Sequence, residues 1–86
     1  MDSYKIFFKR SAEKELREIP HLHLSKIVSK ISLLSKNPRP HGVQMLKGEG
    51  RFFRFRQGDY RVIYEVNDPN QIVTIIKIGH RREVYD

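Results

Sequence analysis

The spacing of apolar residues along the chain changes period part-way. Tyr4 to Phe8 is a short apolar and aromatic run of strand length. Beyond it Ala12, Leu16 and Ile19 recur at helical spacing, with Pro20 closing the segment. Ser11 is the candidate N-cap, and Glu13 and Glu15 fall near the positive end of that helix. A second helix is predicted from about Leu24 to Lys36, where Leu24, Ile27, Val28, Ile31 and Leu34 form a wide apolar stripe. Asn37-Pro38-Arg39-Pro40 ends it. Both stripes read as core-facing. With only Pro20 to His23 between them, the two helices predict a hairpin laid on one face of a sheet.

After a loop rich in Pro, Gly and Lys, from Asn37 to Gly50, the period becomes two. Strands are predicted at Phe52–Gln57, Tyr60–Asn67 and Ile72–Ile78. Gly58-Asp59 joins the first two, and the Asn67–Gln71 turn joins the second two. Glycine supplies the positive φ that a tight hairpin loop needs. The expected architecture is a single α+β domain over residues 1–86. Its order is β-α-α-β-β-β, an antiparallel sheet packed against an N-terminal helical hairpin.

A two-residue or four-residue loop at Gly58-Asp59 sets one register. Arg56 then faces Arg61, Phe55 faces Val62, Arg54 faces Ile63 and Phe53 faces Tyr64. Alternation sends Phe53, Phe55, Val62 and Tyr64 toward the helices and Arg54, Arg56 and Arg61 to the opposite face. Like charges directly opposed weaken a hairpin by a few tenths of a kcal/mol to about 1 kcal/mol. Two readings follow. Either an anion offsets that repulsion, and Arg is shaped to clamp a phosphate with two hydrogen bonds, or the arginines are a solvated face that discourages edge-to-edge pairing.

Charge sharpens the picture. Seventeen Lys and Arg against ten Asp and Glu give a net +7 on 86 residues. Such a field favours polyanions or an acidic partner. Lys47–Arg61 and Lys77–Arg82 hold eight of those cations, while Glu13, Glu15 and Glu18 lie far away in sequence. The tail cluster of Lys77, His80, Arg81 and Arg82 is followed by Tyr85. Arginines for phosphate with an aromatic for stacking are what single-stranded RNA asks of a protein. The absence of cysteine excludes a disulfide framework, a thiolate metal site and a cysteine nucleophile. The four histidines are scattered, so neither a metal nor a cofactor is expected. Apolar stretches such as Ile72–Ile76 are too short to span a membrane, and the N-terminus has no long apolar segment, so a cytoplasmic protein is expected.

The order "LKGEGRFFRFRQGDYRVIYEV" followed by "IIKIGHRREVY" resembles the RelE/ParE superfamily of bacterial and archaeal toxins. The likeness runs from "FFKRSAEKELREI" through "ISLLSKNPRP" to the final tyrosine. It implies a toxin of a type II toxin–antitoxin system, held inactive by a cognate antitoxin. In the RelE-type branch it further implies a metal-independent endoribonuclease that cleaves mRNA in the ribosomal A site and so inhibits translation. The ribosome and mRNA are then its partners. The arginine after "GDY" matches Arg61, which in that branch stabilises the phosphate. The arginine after "GH" matches Arg81, assigned to leaving-group or transition-state stabilisation, and the tyrosine of "EVY" matches Tyr85, which stacks on or orients the substrate. Lys47, Arg51, Arg54, Arg56, Lys77 and Arg82 are the expected substrate-binding residues.

The sequence departs from the family at two positions that are usually lysines, one a proposed general base. Here they are Phe52 and Arg54. Phe moves no proton, and Arg stays charged at any useful pH. His80 is then the candidate base, since an imidazole titrates near pH 6.5, with Lys47 and Tyr85 as others. The alternative is a ParE-like toxin without nuclease activity, which inhibits DNA gyrase by binding it.

Overall fold

The structure is a computed structural model that describes residues 3–46 and 50–82. Its elements are β1 (Lys5–Phe8), α1 (Arg10–Arg17), α2 (His21–Leu33), β2 (Gln44–Leu46), β3 (Phe52–Gln57), β4 (Tyr60–Asn67) and β5 (Ile72–His80). The five strands form one sheet in the order β1-β5-β4-β3-β2. The two helices pack on this sheet, which makes the fold α+β, as expected.

The hairpin of β3 and β4 has the predicted register, with Arg56 opposite Arg61 and Phe53 opposite Tyr64. Gly58 takes φ +60° at the first loop position, where a two-residue hairpin loop most needs glycine. Phe53, Phe55, Val62 and Tyr64 are all buried on the helix side. The Phe53 and Tyr64 rings stack there with centroids 5.7 Å apart. From the helices Ala12, Ile19, Ile27, Ile31 and Leu34 complete the core, and Val73, Ile75 and Ile78 of β5 join it. Val28, counted in the apolar stripe, is 42% exposed.

Four features differ from the sequence expectation. The segment expected as a loop before β3 contains β2, which pairs antiparallel with β3 through Gln44↔Arg54 and Leu46↔Phe52. Three residues are too few to show alternation, so β2 owes its form to its partner strand. β1 pairs parallel with β5, so the sheet is mixed rather than wholly antiparallel. The chain returns to the β1 side only after both helices and three strands, and such non-local pairing leaves no local signal.

The helix limits differ as well. α1 starts at Arg10 with Lys9, not Ser11, in the cap position, and no side chain caps it. Lys9 is a pivot: its amide donates to the Ile75 carbonyl at 2.9 Å, extending the β1–β5 ladder, and its carbonyl accepts from Glu13 at 2.9 Å. α2 starts directly after Pro20, whose carbonyl takes the amides of His23 and Leu24. A proline is tolerated there because the first helical amides need no intrahelical partner. His21 and His23 therefore lie in the first turn of α2, not in a connecting loop. Finally, β5 runs two residues beyond Ile78, so that His80 belongs to the strand.

Each helix also closes a sheet edge. β1 covers β5 only as far as Ile75, and beyond it the Glu15 carboxylate of α1 accepts from the Ile78 amide at 2.9 Å and from Lys77 Nζ at 2.7 Å. β2 covers β3 only as far as Arg54, and beyond it Lys30 of α2 donates to the Arg56 carbonyl at 2.9 Å. Among the described residues, no helix is long and apolar enough to cross a membrane.

Candidate nucleic-acid interface

The β3–β4 hairpin brings Arg54, Arg56 and Arg61 to one face, away from the helices. Arg54 is the anchored member, only 6% exposed. Its guanidinium donates to the side-chain oxygen of Gln44 on β2. Burial pushes the Arg54 pKa below the ordinary arginine value, and the charges of Arg61 and Arg56 push it further the same way. Arg54 therefore feels the charge of both neighbouring arginines. Arg56 is exposed, and Arg61 is half-buried opposite Gly79 of β5.

The tail joins the same hairpin. The Arg81 amide donates to the Asp59 carbonyl in the β3–β4 loop at 2.7 Å, and Arg81 Nε lies 3.8 Å from the Asp59 carboxylate. Both side chains are exposed, so that ion pair is a loose tether and the backbone bond is the firm one. Asp59 entered the sequence reading only as a turn residue. Its second role shows only once β5 lies beside β4.

His80 is not brought to the arginines. It stands opposite Tyr60 on the helix side, edge-on to that ring at 5.7 Å, and Tyr60 in turn packs against His23 of α2 at 5.1 Å. The cause is a bulge in β5. Ile63 pairs with Lys77 and Tyr64 with Ile75, which leaves Ile76 without an opposite residue. Counting alternate residues from Val73 and Ile75 puts His80 on the arginine face, but the extra residue inverts the phase. Its Nδ1 accepts from the Arg82 amide at 3.2 Å, so a neutral imidazole carries its proton on Nε2.

The remaining expected binding residues divide. Lys77 is turned to Glu15. Arg51 pairs with Glu65 at 2.6 Å and covers the Phe52 ring. Arg82 is exposed beside the hairpin end. Lys47 and Tyr85 lie outside the described residues. Gln44 is the site residue that sequence reasoning missed, because β2 itself was not visible.

At the opposite end of the sheet a polar clasp fixes the loops. Asp68, after β4, accepts two hydrogen bonds from Arg39, at 2.7 and 3.1 Å, and one from Tyr4 at 2.6 Å. Arg39 also donates to the Gly50 carbonyl at 2.9 Å, which ties the start of β3 to the segment after α2. These bonds hold the Asp68 carboxyl down at about 2.

Comparison with known proteins agrees with this arrangement. Residues 6–85 match the sequence profile of the ParE toxin of the type II toxin–antitoxin system parDE. RelE1 of Methanocaldococcus jannaschii is 35% identical over 75 residues, covering 84% of this chain and 83% of that one. Toxin RelG of Mycobacterium tuberculosis is 28% identical over 83 residues, covering 95% of each. Among solved structures, the archaeal RelE–RelB complex of Pyrococcus horikoshii superposes with a TM-score of 0.82 at 30% identity, over 94% of this chain and 98% of that one. A profile spanning nearly all of the sequence, together with these relatives, shows that the chain belongs to the RelE/ParE superfamily of type II toxin–antitoxin toxins, in its RelE-type branch.

Proposed function

We propose that this toxin is a metal-independent endoribonuclease that cuts mRNA in the ribosomal A site and thereby stops translation. The observation that carries the reading is the set of three guanidinium groups on one face of the hairpin, Arg54 repelled by Arg56 and Arg61, with Arg81 bonded to the loop of that hairpin. A phosphodiester bound there relieves the repulsion.

In the proposed reaction the ribose 2′-oxygen attacks the adjacent phosphorus. The new O–P bond forms as the bond to the 5′-oxygen breaks, leaving a 2′,3′-cyclic phosphate and a 5′-OH. The 2′-OH loses a proton and the departing 5′-oxygen gains one. Negative charge grows on the phosphoryl oxygens, where fixed cations act most strongly. Arg61 takes that role, Arg54 and Arg56 hold the neighbouring backbone, and Arg81 sits by the leaving group. Holding the 2′-OH in line supplies a further large factor, and the ribosome contributes to that positioning. With His80 facing α2, the 2′-OH proton passes instead to Lys47, Tyr85, water or a ribosomal group.

The Pyrococcus horikoshii relative was solved with RelB, and we extend that to a cognate antitoxin here. An acidic or amphipathic segment matches a chain of net charge +7. The ribosome and mRNA as partners place its action in the cytoplasm.

Primer extension on an mRNA in a reconstituted translation reaction tests the nuclease reading. Breaks that appear only during translation, inside A-site codons, are expected. Intact mRNA with folded protein in excess overturns it, and gyrase supercoiling becomes the next assay.

A further inference from the structure

Two clefts meet where β2 stops covering β3. One, of about 240 Å³, is polar and lies on the arginine side beside Gln44, Arg54 and Arg56. The other, of about 200 Å³, is apolar and lies round the strand edge, between α2 and the segment before β2. Leu33, Leu34, Pro40 and Val43 wall it, with Lys30 among the lining residues. Gly42, Phe55 and Arg56 line both. Gly42 forms the saddle between them. It takes φ +99°, and a Cβ placed there meets nothing within 4 Å, so nothing crowds the ridge at that point. Each cleft alone is smaller than an ordinary small-molecule site of roughly 300–1,000 Å³, but joined they reach that range.

We infer that this joined cleft is a nucleotide subsite, with a phosphate at Arg54 and Arg56 and the attached base in the apolar pocket. The inference rests on the reading that the arginine face takes RNA. The ligand must carry an anion at one end and a flat, largely apolar group at the other, a few ångströms away. A ribonucleotide unit has that form. The anionic end continues the Arg61–Arg54–Arg56 row, so the subsite takes the nucleotide next to the scissile phosphate. The apolar end has a polar donor at hand: Lys30 gives one N–H to the Arg56 carbonyl, and an ammonium has three. Lys30 Nζ also stands 5.7 Å from the Phe55 ring centroid, within reach of a base carbonyl at the mouth. Because the pocket walls are mostly apolar, it selects bases by size and shape more than by hydrogen-bond pattern.

The test is an amide NMR titration of the full chain with adenosine 5′-monophosphate, ribose 5-phosphate and inorganic phosphate. All three are expected to shift the amides of Arg54 and Arg56. Only the mononucleotide is expected to shift Leu33, Leu34 and Val43, and it should bind about tenfold tighter than ribose 5-phosphate, the gain expected from burying part of a base. Leu33→Asp, at a position 64% exposed, should remove that tenfold while leaving the ribose 5-phosphate titration unchanged. Arg56→Gln should weaken all three.

Equal affinity for the mononucleotide and ribose 5-phosphate, with the apolar amides unmoved, overturns the inference. So does a response of those amides only to an added antitoxin polypeptide, which assigns the apolar cleft to a protein. A chain that cuts mRNA but fails this titration keeps the nuclease reading and loses the subsite. A chain that passes the titration but cuts nothing keeps the subsite and loses the nuclease.

Discussion

Glu15 of α1 satisfies the Ile78 backbone amide of β5 at 2.9 Å, at the point where the neighbouring strand has ended. A carboxylate on a helix thus does the work of a missing strand. Replacing Glu15 with Ala leaves a part-buried amide without its acceptor, at a cost of about 1–3 kcal/mol. Lys77→Ala removes only a half-exposed ion pair, with side chains 44% and 24% exposed, and should cost less than about 1 kcal/mol. Urea midpoints of the two variants check the order. A larger loss for Lys77→Ala would reverse the assignment.

Arg61 is expected to matter more for turnover than for affinity. Arg61→Ala should lower the cleavage rate by about 10²-fold or more, the usual cost of removing one preorganised donor, while RNA binding falls much less. Single-turnover cleavage and fluorescence anisotropy on the same RNA separate the two. Equal losses reduce Arg61 to a binding residue.

The clasp at the far end of the sheet makes stability fall in acid. Hydrogen bonds from Arg39 and Tyr4 lower the Asp68 carboxyl from 3.8 to about 2. The unfolded chain therefore takes up the proton first. The stabilisation is complete above about pH 4 and is lost as pH falls through about 2. Denaturant midpoints measured from pH 5 to pH 2 should decline less steeply in Asp68→Asn than in the parent. An unchanged slope would remove Asp68 from the acid response.

Tyr64 spans the core to bond the Pro38 carbonyl at 2.7 Å, and burial pushes its phenol pKa up. Tyr64→Phe keeps the stacked ring but strands that carbonyl, and should cost about 1–3 kcal/mol. A thermal melt of the variant reads the loss. No change would mean that water replaces the hydroxyl.

How far the sequence reveals the structure depends on how local each cause is. Gly58 fixes the loop, the loop fixes the register, and the register places Arg54, Arg56 and Arg61 together, so that much is legible from a few adjacent letters. The helices are legible as stripes but not in their ends, because Lys9 and Pro20 act through backbone bonds rather than through a capping side chain. β2 hides because three residues carry no period, and Gln44 hides with it. The parallel pairing of β1 with β5 joins residues more than sixty positions apart. His80 is misplaced by alternation for a different reason: the bulge depends on how β5 meets β4, and nothing in "IVTIIKIGH" marks Ile76 as the extra residue.

The bulge gives β5 one residue of slack. Ile76 is the residue without a partner, so the strand can lose it while Lys77 to His80 keep their partners on β4 and Val73 and Ile75 keep their places in the core. Deleting Ile76 should therefore straighten the strand and leave the His80 ring beside Tyr60, and ring-proton contacts between the two in NMR would read this; loss of those contacts would mean that the strand had slipped. The middle of the sheet thus absorbs a change of one residue in chain length, and the face that His80 occupies is set by pairing rather than by the count of residues before it.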